Sequence, residues 1–193
     1  MAGVAEKCRR DLYGGAMELS VPERFDDVSP FRPIPDNQEV FSDPPPDQSV
    51  VVELMEWLGE VEMEPSIRRH FEEIAATNKA SSFEVLLIEP VRTVPDLGDP
   101  AAKGILCAGR QRVSKYRETE EHEILVLLCC YRMPAYTTDF LISYNAPLDR
   151  DVKNPAEFHN LLESDPGWND KHMTFFREMV ETARLKDPGL FSC

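Results

Sequence analysis

The 193-residue chain is long enough to bury a hydrophobic core within one domain without crosslinks. Its 35 acidic and 21 basic residues give a formal net charge of −14, which disfavours nucleic acid as a partner, because nucleic-acid binding depends on Lys and Arg neutralising phosphates. Hydrophobic residues make up 42% of the chain, which disfavours disorder throughout. The charge favours a basic protein surface as partner, although acidity can also serve solubility alone.

The lack of a recognisable targeting signal and the cysteine usage together predict a protein of the cytosol or nucleus. No apolar run approaches the roughly 20 residues that cross a bilayer, so we expect no membrane insertion. The first 15 residues lack the hydrophobic segment of a secretory signal. The five cysteines include no C-x-x-C pair and indicate reduced thiols. We expect a flexible N-terminal tail over residues 1–10 and a single domain over residues 11–193.

The first predicted elements are short strands separated by proline-rich loops. Residues 16–21 alternate apolar and polar side chains, as a half-buried strand does. Three prolines within residues 30–35 predict an extended loop, and a short strand follows at Gln38–Ser42. Asp43–Gln48 then predicts a turn.

Residues Ser49–Leu58 form the most informative and most ambiguous stretch. Three consecutive valines favour a strand. Four apolar residues in and just after the stretch recur instead at helical spacing: Val50, Leu54, Trp57 and Val61. We predict a strand, which matters for two acidic residues. Glu53 and Glu56 would share a helix face but point oppositely along a flat strand, unless the strand twists or ends near Leu54.

The middle of the chain predicts one helix and then four strands. The helix begins at Pro65 and ends at Asn78 or Lys79. The strands are predicted at Ser82–Val94, Ile105–Lys115, Glu123–Met133 and Thr138–Asn145, with a charged turn over residues 117–123. Their links are too short for parallel crossovers, so an antiparallel meander is expected. The strand Glu123–Met133 is apolar on both faces and should be buried.

The last third predicts helices. A short helix starts at Asn154-Pro155 and runs to about Leu162, and a longer one runs from Asn169 or Asp170 to about Leu185. The fold class expected is therefore α+β, with a central antiparallel sheet of about six strands flanked by helices.

Motifs for catalysis and for metal binding are missing from the sequence. The four histidines lack metal-ligand spacing, and His70 is expected at the edge of the core. Cys129 and Cys130 lie on the buried strand, where a thiol is inert. We expect no catalytic residue, no metal and no cofactor. The alternative, a small-ligand-binding or enzymatic domain, requires a deep cleft with clustered polar side chains.

Several segments resemble a known family. They are LYGGA at Leu12–Ala16, DVS at Asp27–Ser29, RPIPDNQEVF at Arg32–Phe41 and SVVVELME at Ser49–Glu56. Together they closely resemble the Ran guanine nucleotide release factors, the small Ran-binding proteins of Mog type. Looser matches extend the resemblance over almost the whole chain, except residues 150–168.

The resemblance implies a PsbP-like α/β/α sandwich and a monomer without an active site of its own. Such a protein binds the nuclear-transport GTPase Ran, promotes release of its guanine nucleotide and acts in the nucleus and cytoplasm. The acidic pair of the family motif maps onto Glu53 and Glu56. A second part of the surface is expected in the loop Asp36, Asn37, Gln38 and Glu39, with Trp57 or Phe41 as apolar anchors.

Overall fold

The structure, a computed structural model, describes residues 7–44, 47–57, 59, 62–114 and 121–192. The strands are β1 (Lys7–Leu12), β2 (Met17–Pro22), β3 (Asp26–Asp27), β4 (Gln38–Asp43), β5 (Gln48–Glu56), β6 (Ser82–Pro90), β7 (Lys103–Ser114), β8 (Glu121–Met133), β9 (Thr138–Pro147) and β10 (Arg184–Leu185). The α-helices are α1 (Met63–Thr77), α2 (Pro155–Ser164), α3 (Pro166–Asn169) and α4 (Phe175–Val180), with a π-helical turn at Asp170–Thr174 between the last two.

Seven of the described strands form one antiparallel sheet in the order β3-β4-β5-β9-β8-β7-β6. The predicted meander is confirmed, since β6 to β9 pair in sequence. The ambiguous stretch is a strand, as predicted, and β5 lies beside β9 near the middle of the sheet. The α+β class is confirmed, and the two-residue β3 brings the expected count of about six strands to seven.

Three further strands form a second, smaller sheet in the order β1-β2-β10. Residues 7–10, expected in a flexible tail, belong to β1 and pair with β2, while residues 1–6 lie outside the described residues. The strand predicted over residues 16–21 corresponds to β2 and therefore lies in this smaller sheet. Residues 117–120 of the predicted charged turn also lie outside the described residues, and β8 begins at Glu121.

The predicted helix end near Leu185 is wrong. The helix ends at Val180, where the Thr182 hydroxyl donates to the carbonyl of Met179. Beyond it, Leu185 donates its backbone N–H to Asp96, and β10 pairs with β2. The backbone hydrogen bonds of the smaller sheet thus replace those of another helical turn.

The large sheet has an apolar core on each face. Val52, Leu127 and Phe140 belong to the larger core, which also includes the smaller sheet and the C-terminal helices. The other core lies under α1, where Ile67 and Phe71 pack over β7 and β8. Full burial of each such side chain contributes roughly 1.5–3 kcal/mol.

A glycine sets how closely α1 approaches the sheet. A Cβ at Gly109 of β7 would lie 2.3 Å from the Phe71 ring and 2.6 Å from the Glu84 carbonyl. Any side chain there would push α1 outward. Among the described residues, no helix is both long and apolar enough to cross a bilayer.

Candidate functional site

The pairing of β4 with β5 brings the loop Asp36–Glu39 beside Glu53. Gln38 lies opposite Glu53 in the antiparallel register. One residue earlier, the carbonyl of Asn37 accepts the N–H of Leu54 at 2.9 Å. The two parts of the surface expected from the sequence therefore meet at one end of the β4–β5 pair.

Neutral amides hold the Glu53 carboxylate. Its Oε1 accepts a hydrogen bond from Gln38 Nε2 at 2.8 Å and one from Asn37 Nδ2 at 3.3 Å. Such bonds orient a carboxylate but leave its full negative charge in place. Glu53 is half-buried, so part of that charge is accessible to a partner.

Glu39 is fixed from the other side by Tyr13. The backbone N–H of Tyr13 donates to Glu39 Oε1 at 2.7 Å, and the Tyr13 hydroxyl donates to the carbonyl of Asn37 at 3.2 Å. Burial raises the pKa of Tyr13, and the nearby negative charges of Glu39 and Glu53 raise it further. The contributions of Glu39 and Glu53 to this shift reflect the negative potential of the site.

Glu53 and Glu56 lie on opposite faces of β5, because the strand continues through Glu56. Leu54, two residues before Glu56, packs against the larger core, whereas Met55 packs against the core under α1. Glu53 therefore faces the α1 side, and Glu56 is exposed at the end of the strand. The two acidic residues therefore share the end of β5 but do not share one face of the sheet.

We call Asp36, Glu39, Glu53 and Glu56 the acidic rim. Residues 25–57 contain eight acidic residues, Asp26, Asp27, Asp36, Glu39, Asp43, Asp47, Glu53 and Glu56, and a single basic one, Arg32. Within the described part of the chain, no Lys or Arg forms an ion pair with a carboxylate of the acidic rim. The described residues thus supply no cationic counterion to these four charges.

The two aromatic residues expected as anchors differ in accessibility. Phe41 is 4% exposed and belongs to the larger core, so the prediction that it could anchor a partner is wrong. The register explains this, because Phe41 pairs with Val50 and points to the same core face. Trp57 is half-buried just after β5 and donates its backbone N–H to Thr137 at 2.9 Å.

A buried charged cluster, Ser66, His70, Arg132 and Asp139, lies next to Trp57. Arg132 donates to both oxygens of Asp139 at 2.8 Å and to the Ser66 hydroxyl at 2.7 Å. His70 Nε2 lies 3.1 Å from Asp139 Oδ2. The Arg132 guanidinium also lies 5.0 Å from the centre of the Trp57 ring, within cation–π range.

The charge of Asp139 survives its burial because of these neighbours. Burial alone would raise the pKa of Asp139, but the hydrogen bonds from Arg132 and His70 outweigh it and hold the pKa below its usual range. Arg132 and Asp139 were not predicted from the sequence as site residues. They occupy facing positions of β8 and β9, and the opposite charges on the two sides of a predicted hairpin were the available signal.

A metal ion does not fit the cluster well, although His70, Cys130 and Asp139 have ligand atoms within 4.8 Å of one another. Both Asp139 oxygens already bind the Arg132 guanidinium, whose charge would repel a cation. Burial also raises the pKa of the Cys130 thiol well above its ordinary value, which disfavours the thiolate that binds metals.

The buried thiols are also poor nucleophiles. Burial raises the pKa of Cys107 to about 12 and that of Cys129 further. Since the thiolate is the reactive form, both thiols are inert at neutral pH. The burial of Cys129 and Cys130 predicted from the sequence is confirmed.

An open cleft of about 670 Å³ lies between β7 and the loop after β9. Four basic side chains line it, and each pairs with acidic neighbours: Arg110 with Glu84 and Glu123, Arg112 with Glu121 and Glu123, Arg150 with Asp149 and Asp165, and Lys153 with Asp151. These pairings neutralise the cations that an anionic ligand would need.

Comparison with known proteins places the chain in a family. A sequence model described as "Ran-interacting Mog1 protein" matches residues 10–147. The chain belongs to the Mog1 family. The resemblance stated from the sequence is thereby confirmed.

Mog1 relatives match the chain over almost its whole length. The "Ran guanine nucleotide release factor" of Danio rerio is 34% identical over 189 residues, covering 94% of this chain and 98% of that protein. The "Nuclear import protein mog1" of Schizosaccharomyces pombe is 32% identical over 188 residues, with coverages of 94% and 98%. The solved structure of the Saccharomyces cerevisiae Ran-binding protein Mog1p has a TM-score of 0.73 at 21% identity, covers 97% of this chain and 100% of its own, and shares the fold.

Proposed function

We propose that this protein binds the GTPase Ran through the acidic rim and promotes release of its guanine nucleotide. The family and the names of its relatives support Ran as the partner. The observation that carries the proposed site is the acidic rim itself, in which Glu39 and Glu53 are oriented by amide and backbone N–H groups and no described Lys or Arg is a counterion. Complementary cations of Ran would supply the missing charge.

The residues of the site have different roles. Glu53 and Glu56 meet Lys or Arg of Ran from the two faces of the β5 end, while Asp36 and Glu39 extend the negative potential along the loop. Asn37 and Gln38 hold Glu53 in place and can donate to the partner. Charges of this kind mainly raise the association rate and the specificity. Trp57, half-buried at the strand end, contributes apolar contact area and affinity.

Nucleotide release follows from linkage between the two binding equilibria. A protein that binds nucleotide-free Ran more tightly than the nucleotide complex weakens nucleotide binding by the same factor, and a hundredfold effect corresponds to about 2.7 kcal/mol. The rim carboxylates favour the nucleotide-free state if they attract a Ran cation that otherwise contacts phosphate. No catalytic group is required, and we propose that the protein performs no chemical step.

Further properties complete the proposal. The protein acts as a monomer, in the nucleus and the cytoplasm, where a partner of a nuclear-transport GTPase meets its client. The relative named nuclear import protein supports this setting.

Release of a fluorescent guanine nucleotide from purified Ran tests the function. Ran loaded with labelled GDP or GTP is mixed with excess unlabelled nucleotide, with and without this protein, and the fluorescence decay is followed. We expect at least tenfold faster loss with one of the two nucleotides and co-elution with nucleotide-free Ran from a sizing column. Unchanged decay with both nucleotides, together with separate elution, would refute the proposed function.

A variant pair separates the function from the site. Glu53→Lys combined with Glu56→Lys should abolish the acceleration, whereas Glu163→Lys on α2, also an exposed acidic residue, should leave it intact. If both variants accelerate release like the unmodified protein, the function stands and the acidic rim is not its site.

A further inference from the structure

The end of β5 leaves the sheet with few backbone restraints. Glu56 lies opposite Thr138 in the ladder with β9, and Trp57 makes one further hydrogen bond, from its N–H to the carbonyl of Thr137. A strand end held only by its last backbone bonds frays readily. The direction of Glu56 and Trp57 therefore depends on what holds the Trp57 side chain.

The Trp57 ring is not closely packed on all sides. A cavity of about 200 Å³ adjoins it, lined also by Glu62, Met63, Lys103 and Pro134. Its indole Nε1 has no hydrogen-bond partner among the described residues. No hydrogen bond of the indole to the described residues therefore fixes the ring orientation, and the adjoining cavity leaves the ring incompletely packed.

Arg132 supplies a rigid contact to this ring. Its guanidinium is held by Asp139 of β9 and Ser66 of α1, while His70 of α1 holds Asp139. A planar guanidinium bound at three positions cannot turn. It therefore presents a fixed cationic surface 5.0 Å from the centre of the indole.

We propose that Arg132 is a positioning residue for partner binding, which fixes the Trp57 ring and with it the β5 end that carries Glu56. The cluster of Ser66, His70 and Asp139 serves to hold the guanidinium. A buried ion pair contributes little net stability compared with apolar residues of equal volume. What apolar residues could not supply at this place is the rigid cationic surface against the indole. This inference rests on the proposed function, because it concerns the surface that meets Ran.

Arg132→Lys tests this role with little change in charge or size. Lysine keeps the positive charge but cannot bind both Asp139 oxygens and Ser66 in one plane. The matched control is Arg110→Lys, since Arg110 also bridges two carboxylates, those of Glu84 and Glu123, at the opposite end of β7 from the Arg132 pairing. Affinity for nucleotide-free Ran is measured by titration calorimetry.

A spectroscopic signal distinguishes positioning from a general structural effect. The chain has two tryptophans, so in a Trp168→Phe background Trp57 is the only source of indole fluorescence. Arg132→Lys should shift the Trp57 emission maximum and increase acrylamide quenching of the ring in the free protein. Arg110→Lys should change neither.

We expect Arg132→Lys to weaken Ran binding about tenfold, the order of one cation–π contact. In a Trp57→Leu background the same substitution should weaken Ran binding by less than about twofold, because the ring through which Arg132 acts is gone. Trp57→Leu alone should weaken binding about tenfold without disturbing the buried cluster, and this holds even if the Arg132 variant does not fold.

Two results would overturn the inference. One is unchanged Ran affinity for Trp57→Leu, and the other is an equal loss from Arg132→Lys with and without the Trp57 ring. Either result leaves the proposed function standing if Glu53→Lys with Glu56→Lys still loses Ran. If all of these variants still bind Ran as the unmodified protein does, the proposed site is refuted.

Discussion

Carboxylates on two neighbouring strands of the large sheet meet opposite electrostatic environments. Asp139 of β9 is 2% exposed and is bound at both oxygens by Arg132. Glu53 of β5 is half-buried, and among the described residues it accepts hydrogen bonds from neutral amides and pairs with no cation. The fold neutralises the charge that it buries and leaves the charge at its rim available. We therefore assign the first group to the interior of the fold, where it holds Arg132, and the second group to direct contact with the partner.

The largest expected effect is the loss of stability on removing the buried carboxylate. Asp139→Ala leaves Arg132 buried without an anion and should lower the free energy of unfolding by about 3–5 kcal/mol. Glu53→Ala should change it by less than about 0.5 kcal/mol. Urea unfolding at neutral pH measures both, and equal effects would end the distinction between the two groups.

The same variant has a predicted pH dependence. The pKa of Asp139 lies below its ordinary value of 3.8. The ion pair of Asp139 with Arg132 therefore contributes fully to the free energy of unfolding above pH 3.8, and this contribution is lost as the pH falls through the folded-state pKa. The stability difference between the unmodified protein and Asp139→Ala should narrow only in that acidic range. If this stability difference narrowed between pH 5 and pH 7, Asp139 would not be the titrating group.

His172 is a buried ionisable group that lacks such compensation. Its pKa is lowered from 6.5 to about 4, mainly by burial and also by the positive charges of Lys171 and Arg150, against the opposing effect of Asp149. The unfolded chain therefore binds a proton that the folded protein does not, and stability should fall by about 3 kcal/mol between pH 6.5 and pH 4. The free energy of unfolding of His172→Gln should depend less steeply on pH across this range than that of the unmodified protein. An identical pH dependence would exclude His172 as its source.

Charge reversal at the rim should affect binding without unfolding the protein. Glu53→Lys or Glu56→Lys places a cation against the cationic surface of Ran and should weaken the complex about a hundredfold. Calorimetric titration with Ran measures the affinity, and circular dichroism checks the fold. Unchanged dissociation constants for both folded variants would remove these residues from the site.

The smallest expected effect concerns ionic strength. The rim charges are exposed or half-buried and are screened by salt, so the rate constant for association with Ran should fall about tenfold between 0.02 M and 0.5 M salt. The stability that Asp139 confers should change far less, because its pair is buried. Stopped-flow mixing measures the rate, and a rate independent of salt would show that the rim does not steer association.

Local sequence patterns were sufficient for most of the large sheet. The meander from β6 to β9 followed from four apolar runs with short links, and β-branched residues predicted β5 correctly despite its helical spacing. The smaller sheet could not be predicted, because β10 is two residues long and joins β2 across the whole chain. Such a pairing depends on tertiary contacts and leaves little local pattern.

The site was predictable in part, for similar reasons. The motif located Glu53, Glu56 and the loop before β4, and the register places that loop beside Glu53. The sequence did not reveal that Phe41 points into the core, since this depends on which face of the sheet each strand buries. Nor did it reveal the contact of Arg132 on β8 with Trp57 just after β5, because β5 and β8 are not adjacent in the sheet.

The structure of a complex with nucleotide-free Ran tests the central claim most directly. We predict that Lys or Arg side chains of Ran lie within about 4 Å of the Glu53 or Glu56 carboxylates, the usual ion-pair distance. A complex in which Ran contacts α2 and α4 while the acidic rim faces solvent would contradict the account.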